Sequence, residues 1–239
     1  MLTGLSDRQL RKILFECESL LQTRLFLHSH NLSKDEFEAL KLKMRIVREA
    51  LNSFHWERLP PRELLRIATM VFELSHQLEL KPADALEFFN EAQKVPNDEY
   101  LKHVNSVLTL QPDLKSLKLG YIDMTTSVEA EKLHDIIRES LPKLRDLALV
   151  DVVMDKELLK ALLKTKITNL SIIVLKRSTF SKKGAINRLF AGLMSYLPQQ
   201  RNLRKLSLIF YDLDLIVDFL CEFLSARPYL WCIKVRILL

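Results

Sequence analysis

The sequence predicts an α/β protein in which a helical first part is followed by strands that alternate with helices. Residues 1–96 place apolar side chains at helical spacing, and from residue 97 onward short leucine-rich strand patterns recur between helical segments. The chain has 239 residues, of which 48% are hydrophobic and 28% charged, a composition typical of a folded protein. We therefore expect a helical domain over residues 1–96 and a strand–helix domain over residues 97–239.

Helix starts in the first part are indicated by capping and by proline. Ser6 with Gln9, and Ser33 with Glu36, have the capping-box spacing that begins a helix. Proline is favoured in the first turn of a helix, so the proline pair at 60–61 predicts a third one. Pro82 likewise predicts a short helix through Leu86, Phe88 and Phe89. Asn97 is expected to cap a further helix that reaches about Leu110.

An internal repeat dominates the second part. The pattern leucine-x-x-leucine-x-leucine, with isoleucine or valine as substitutes, begins five times at spacings of 30, 23, 36 and 27 residues. Its copies are Leu114/Leu117/Leu119, Leu144/Leu147/Leu149, Ile167/Leu170/Ile172, Leu203/Leu206/Leu208 and Leu230/Ile233/Val235. Helical segments separate the copies, so each unit is a strand followed by a helix. Stacked units of this kind share one core, which predicts a parallel sheet in sequence order.

These five copies resemble the leucine-rich repeat proteins of the ribonuclease-inhibitor-like kind, over roughly residues 108–239. The resemblance implies a short array of about five strand–helix units, with the helices on the convex side. The array is irregular, because the repeat lengths vary and the asparagine usual after the last strand leucine is absent. In its place stand Ile122, Val152, Leu175, Tyr211 and Leu238.

Alternation along the strands predicts a partner-binding face. Side chains at the third, fifth and seventh pattern positions point away from the core, which in leucine-rich repeat proteins is toward the concave side. One stripe of these positions and their neighbours is basic and another is apolar, and an apolar stripe flanked by charge indicates a contact surface. We expect the partner to be bound by Lys118, Arg145, Val150, Ile173, Lys205, Ile209, Phe210 and Lys234.

Neither catalytic, cofactor nor metal residues are expected. The four glycines are isolated, so no phosphate-cradling loop can be assembled, and no nucleophile motif is present. His28 and His30 form the only close histidine pair, and they have no cysteine or carboxylate at zinc-site spacing. We therefore expect a binding protein rather than an enzyme.

Charge and hydropathy suggest the class of partner and the compartment. Residues 1–96 carry 14 basic and 14 acidic residues, so the net charge of +6 comes entirely from residues 97–239. This bias favours a protein partner with an acidic surface, with nucleic acid as a second candidate. No apolar run reaches the roughly 18 residues of a membrane span, and no signal peptide is expected. The expected location is intracellular, in the cytoplasm or nucleus, with an organelle also open.

A protein-interaction scaffold or adaptor is the leading function, and two alternatives are retained. Residues 59–74 are similar to the first half of an F-box, which would imply a substrate adaptor of a ubiquitin ligase. The hydrophobic-basic-tryptophan ending of that motif is missing. The other alternative is an RNA-associated protein that uses the basic second part. Only Tyr121, Phe210 and Trp231 are placed for base stacking there.

Overall fold

The computed structural model describes residues 2–27, 32–52, 58–80, 83–124, 127–153, 166–174, 202–210 and 232–237. The chain divides into two units, Met1–Pro82 and Ala83–Leu239. The first is helical in its described part and the second is built on a β-sheet. The division falls before the expected boundary at residue 96, because Ala85–Phe89 form a strand of the second unit.

Three helices form the described part of the first unit: α1 (Asp7–Leu27), α2 (Lys34–Asn52) and α3 (Pro61–Gln77). Both predicted capping boxes are confirmed. The Ser33 N–H donates to Glu36 Oε2 at 2.9 Å, the Glu36 N–H donates back to Ser33 Oγ at 3.3 Å, and the Ser6–Gln9 pair repeats this arrangement. Hydrogen bonds from Ser33 lower the pKa of the Glu36 carboxyl.

The buried face of α1 is made by Leu10, Leu14, Cys17 and Leu21, which recur at helical spacing as predicted. Cys17 is an unpaired cysteine with no exposed surface. Burial raises the pKa of its thiol to about 11, with a smaller contribution from Glu16, so the thiol stays protonated at neutral pH. Cys17 is therefore a core residue. The side chains of Cys221 and Cys232 lie outside the described residues.

Six parallel strands form the sheet of the second unit, and their spatial order is their sequence order. They are β1 (Ala85–Phe89), β2 (Ser116–Gly120), β3 (Asp146–Val150), β4 (Asn169–Val174), β5 (Lys205–Phe210) and β6 (Cys232–Ile237). Strands β2 to β6 fall on the five predicted patterns, so their existence, direction and order are confirmed. Leu117, Leu147, Leu170 and Leu206 are adjacent in register and buried, which places the core on the leucine side of the sheet.

The first strand corrects the sequence prediction. Ala85–Phe89 pairs in parallel with β2, whereas a helix was expected there. Leu86 and Phe88 are buried while Glu87 between them is half-exposed, which is the period-two alternation of a strand. Because β1 belongs to the sheet, the second unit starts at residue 83 and the predicted boundary at 96 was too late.

Two helices connect the first three strands. α4 (Asn97–Thr109) follows β1, and α5 (Val128–Asp135), extended by a π-helical turn over Ile136–Ser140, follows β2. The first residue of α4 is Asn97 rather than its cap, and its amide binds the backbone of Asp123 at 2.7 and 3.1 Å. The helical segments expected between the last four repeat copies lie outside the described residues.

Adjacent strands begin with the same hydrogen-bond pattern. The carbonyl of the residue immediately before a strand accepts two successive N–H groups from the start of the next strand, at 2.8–3.1 Å. These acceptors are the carbonyls of Asp84, Lys115, Arg145 and Thr168. The strand ends repeat as well, since Tyr121 and Asp151 both have a left-handed φ, of 58° and 48°. The strand–helix repeats therefore share the same backbone geometry where their described strands begin and end, despite their unequal lengths.

Loss of one cap gives a first test of the helix assignments. Ser127 caps α5, because its Oγ accepts the Ala130 N–H at 3.1 Å. We expect Ser127→Ala to destabilise the second unit by about 1 kcal/mol, measured by urea unfolding. Ser106→Ala, at a half-exposed position of α4, is the matched control, with a cost below about 0.5 kcal/mol. Equal effects of the two changes would show that Ser127 is not the cap.

Candidate functional site

The candidate site is the sheet face opposite the buried leucines, here called the open face. Parallel register arranges its residues in three rows that cross the strands. The first row runs Ala85, Ser116, Asp146, Asn169, Lys205, Cys232; the second Glu87, Lys118, Ala148, Ser171, Ser207, Lys234; and the third Phe89, Gly120, Val150, Ile173, Ile209, Arg236. Since strands lie about 4.8 Å apart, neighbours in a row are close enough to act on one ligand.

A shallow groove of about 240 Å³ lies in the middle of the open face. Small and polar side chains from four strands line it: Ser116, Asp146, Ala148, Asn169, Ser171, Lys205 and Ser207, with Leu147 and Leu170 beneath. All seven are half-exposed or exposed. The groove therefore offers hydroxyl, amide, carboxylate and ammonium groups to a ligand without disturbing the core.

Two charges mark the first row of the groove. The Asn169 amide donates a hydrogen bond to Asp146 Oδ1, which orients the carboxylate but leaves its charge uncompensated. Lys205 is exposed, and within the described residues neither it nor Asp146 forms an ion pair. Register puts one strand between them, a separation of roughly 10 Å. The groove thus carries an acidic side and a basic side.

The predicted basic stripe is partly neutralised by β1. Lys118 Nζ lies 3.7 Å from Glu87 Oε2 and 5.0 Å from the centre of the Phe89 ring. Lys115 Nζ lies 2.9 Å from Asp84 Oδ1. These pairs are largely exposed and contribute little stability, yet they reduce the positive potential at this end of the face. Sequence reasoning missed both pairs because it placed residues 84 and 87 near or in a helix.

The basic groups that remain lie toward β3 to β5. Arg145 is exposed just before β3, and its guanidinium donates to the carbonyl oxygens of Pro142 and Leu144 at 3.2 and 3.1 Å. Arg204 is exposed beside Lys205. Lys234 on β6 pairs in register with Ser207 on β5, and the side chain of Lys234 lies outside the described residues. Of the predicted basic residues, Lys205 therefore lines the groove, whereas Arg145 is not among its lining residues and Lys118 is held in an ion pair with Glu87.

The predicted apolar stripe needs one correction. Val150 is buried, with 6% of its surface exposed, whereas an exposed side chain was expected. It is the last residue of β3, and the chain turns at Asp151, so period-two alternation no longer decides exposure there. Ile173 and Ile209 are half-exposed neighbours in the third row. Phe210 pairs with Val174 and Ile237, and its side chain lies outside the described residues.

Phe89 supplies an aromatic group that the sequence analysis did not place on this face. Its ring lies over Gly120 and 6.0 Å from the ring of Tyr121. The cluster closes the β1 end of the third row with apolar surface. The signal that could have found it is the alternation of residues 85–89, read as a strand.

The described part of the chain contains neither a metal-binding cluster nor a membrane-spanning helix. No group of three or more histidine, cysteine, aspartate or glutamate side chains there is placed to hold a metal ion. His28 and His30 lie outside the described residues. Among the helices that the structure describes, none has the length and apolar character to cross a bilayer.

Comparison with protein-family models, with curated proteins and with solved structures finds no match to this chain.

Proposed function

We propose that the protein is an interaction scaffold whose open face binds a segment of a partner protein, and that its second unit is a short leucine-rich repeat array. Support for the repeat comes from the parallel strands in sequence order and from the shared hydrogen bonds at their starts. Support for binding comes from the groove, whose polar side chains line a face that the core does not use.

The groove carries the proposal because its polar groups are accessible and largely unused by the fold. Ser171 and Ser207 stand side by side in the second row, and their side-chain hydroxyls form no hydrogen bond with a described residue. Beside them Ile173 and Ile209 offer apolar surface, which would supply affinity through desolvation. Arg145 and Lys205 would steer an acidic surface of the partner toward the groove. Protein interfaces likewise combine apolar surface with polar and charged groups.

A protein partner is favoured over nucleic acid by the charges of the face. Asp146 lies inside the groove, and Glu87 and Asp84 neutralise two of the lysines that phosphate groups would need. The proposed setting is a reducing intracellular compartment, the cytoplasm or nucleus, which accords with the unpaired thiol of Cys17.

Filling the groove tests this function directly. We expect Ser171→Trp to remove the partners that the tagged full-length chain co-purifies from its own cells, because the ring would occupy the middle of the groove. Glu131→Trp, on an exposed position of α5, is the matched control and should retain them. The comparison is made by quantitative mass spectrometry of both eluates, with and without nuclease.

Each outcome of that comparison has a distinct meaning. Partners lost only from Ser171→Trp, and unaffected by nuclease, support the scaffold. Partners that nuclease releases would replace it with the RNA-associated alternative. Ubiquitin-ligase subunits that stay bound to both variants would instead favour an adaptor acting through residues 59–74. Partners retained equally by both variants would show that the open face is not the binding site.

A further inference from the structure

We infer that the groove selects an extended peptide segment carrying one basic and one acidic side chain, two to four residues apart. The basic side chain would bind Asp146 and the acidic one Lys205. This inference rests on the proposed function, since it names the chemistry of the segment that the open face would bind.

Asp146 provides the acidic subsite. Its Oδ1 accepts a hydrogen bond from the Asn169 amide, which fixes the orientation of the carboxylate. A neutral amide does not compensate the charge, and the second carboxylate oxygen keeps its acceptor capacity. Among the residues that the structure describes, no cation pairs with Asp146. A lysine or arginine of the bound segment would supply the missing positive charge.

Lys205 provides the basic subsite on the other side of Asn169. The register Asp146–Asn169–Lys205 separates the two charged residues by two strand spacings, or roughly 10 Å. An ion pair requires a nitrogen–oxygen distance of at most about 4 Å, and Asp146 and Lys205 form no ion pair with each other. Both charges thus remain available to a ligand that spans the row.

The floor of the groove fits an extended segment. Ala148, Ser171 and Ser207 are small, so the space above the second row stays open, about 240 Å³ in volume. A helix is about 10–12 Å wide with its side chains, which is large for such a groove, whereas an extended backbone is narrower. The serine hydroxyls can exchange hydrogen bonds with peptide groups of the segment. An extended chain rises about 3.4 Å per residue, so charges two to four residues apart bracket the spacing of the two subsites.

The pairing of opposite charges also rejects ligands with one sign of charge. A polyanion attracted by Lys205 would bring negative charge against Asp146, which lies in the same groove. A polycation would meet Lys205 with Arg204 beside it, both exposed. Only a segment with both signs compensates both subsites.

A random peptide library tests the inference on the full-length protein. Displayed twelve-residue peptides are selected on the wild-type chain, and the enriched sequences are expected to share one basic and one acidic residue at the stated spacing. Individual peptides are then measured by fluorescence anisotropy on Asp146→Asn and Lys205→Gln. Each neutral variant should bind about two- to fivefold more weakly, the loss of one exposed charge pair. Asp98→Asn and Lys102→Gln, exposed on α4, are matched controls that should bind unchanged.

Exchange of the two charges separates recognition from general damage. The double variant Asp146→Lys/Lys205→Asp should prefer peptides in which the basic and acidic residues are exchanged. Enriched peptides that Ser171→Trp blocks, but that show no dependence on either charge, would overturn this inference and leave the proposed function standing. Peptides that bind Ser171→Trp normally would overturn both, and a library without enriched peptides would overturn the inference.

Discussion

Truncation of Leu147 to alanine is expected to destabilise the second unit by about 2–5 kcal/mol. The side chain is 1% exposed on β3, and its register neighbours are Leu117 and Leu170, both buried. Removing three carbons there leaves a cavity that rigid strands on both sides cannot close. The loss of buried apolar surface and the cavity therefore add.

Urea unfolding followed by circular dichroism measures this effect, with one transition allowed for each of the two units. Leu42→Ala is the matched control, because Leu42 is 49% exposed on α2 and should cost less than about 1 kcal/mol. An unchanged transition for Leu147→Ala would place that side chain on the surface. The assignment of buried and open faces would then be reversed.

Five strands could be predicted because each carries its own signal. Large apolar residues at the first, fourth and sixth pattern positions make a strand with one buried face, and repetition of this strand between helical segments implies parallel stacking. Leu117, Leu147 and Leu206 all lie where this reasoning placed them. The alternation of side chains along each strand and the core shared by the strands were sufficient to predict these five strands.

β1 could not be recognised by the same signal. Ala83 occupies the position of the first leucine, Phe88 that of the last, and Pro82 precedes them. Proline commonly opens a helix, so the local preference pointed the wrong way. Pairing with β2 decides the conformation of residues 85–89, and that contact is distant in sequence.

The sequence predicted which face carries the candidate site, but not all the contacts and burial of its side chains. Strand alternation identified the face, yet the ion pair of Lys118 with Glu87 depended on the strand that was missed. Burial of Val150 depends on the turn that follows it rather than on its pattern position. The groove itself arises from small residues on adjacent strands, Ser171 and Ser207 among them, which have no distinctive sequence signal.

Replacing Gly120 with alanine is expected to destabilise the second unit by about 1–3 kcal/mol, the usual cost of overpacking. A Cβ atom at this position would lie 2.2 Å from Cδ1 and 2.5 Å from Cε1 of Phe89. Backbone strain does not contribute, because the φ of Gly120 is outside the left-handed region. The Phe89 ring has restricted freedom to move, since Tyr121 and the Lys118 ammonium lie 6.0 and 5.0 Å from it.

A double-mutant cycle assigns this cost to the ring. A Phe89→Ala background removes the ring atoms that are the three nearest neighbours of this Cβ atom, so Gly120→Ala should cost less than about 0.5 kcal/mol or become slightly stabilising through reduced chain entropy. Urea unfolding of the four proteins gives the coupling energy, which should be at least about 1 kcal/mol. Equal costs in both backgrounds would mean that the Phe89 ring does not lie over Gly120. The pairing of β1 with β2 in the stated register would then be wrong at its carboxyl end, because that register is what places residue 89 beside residue 120.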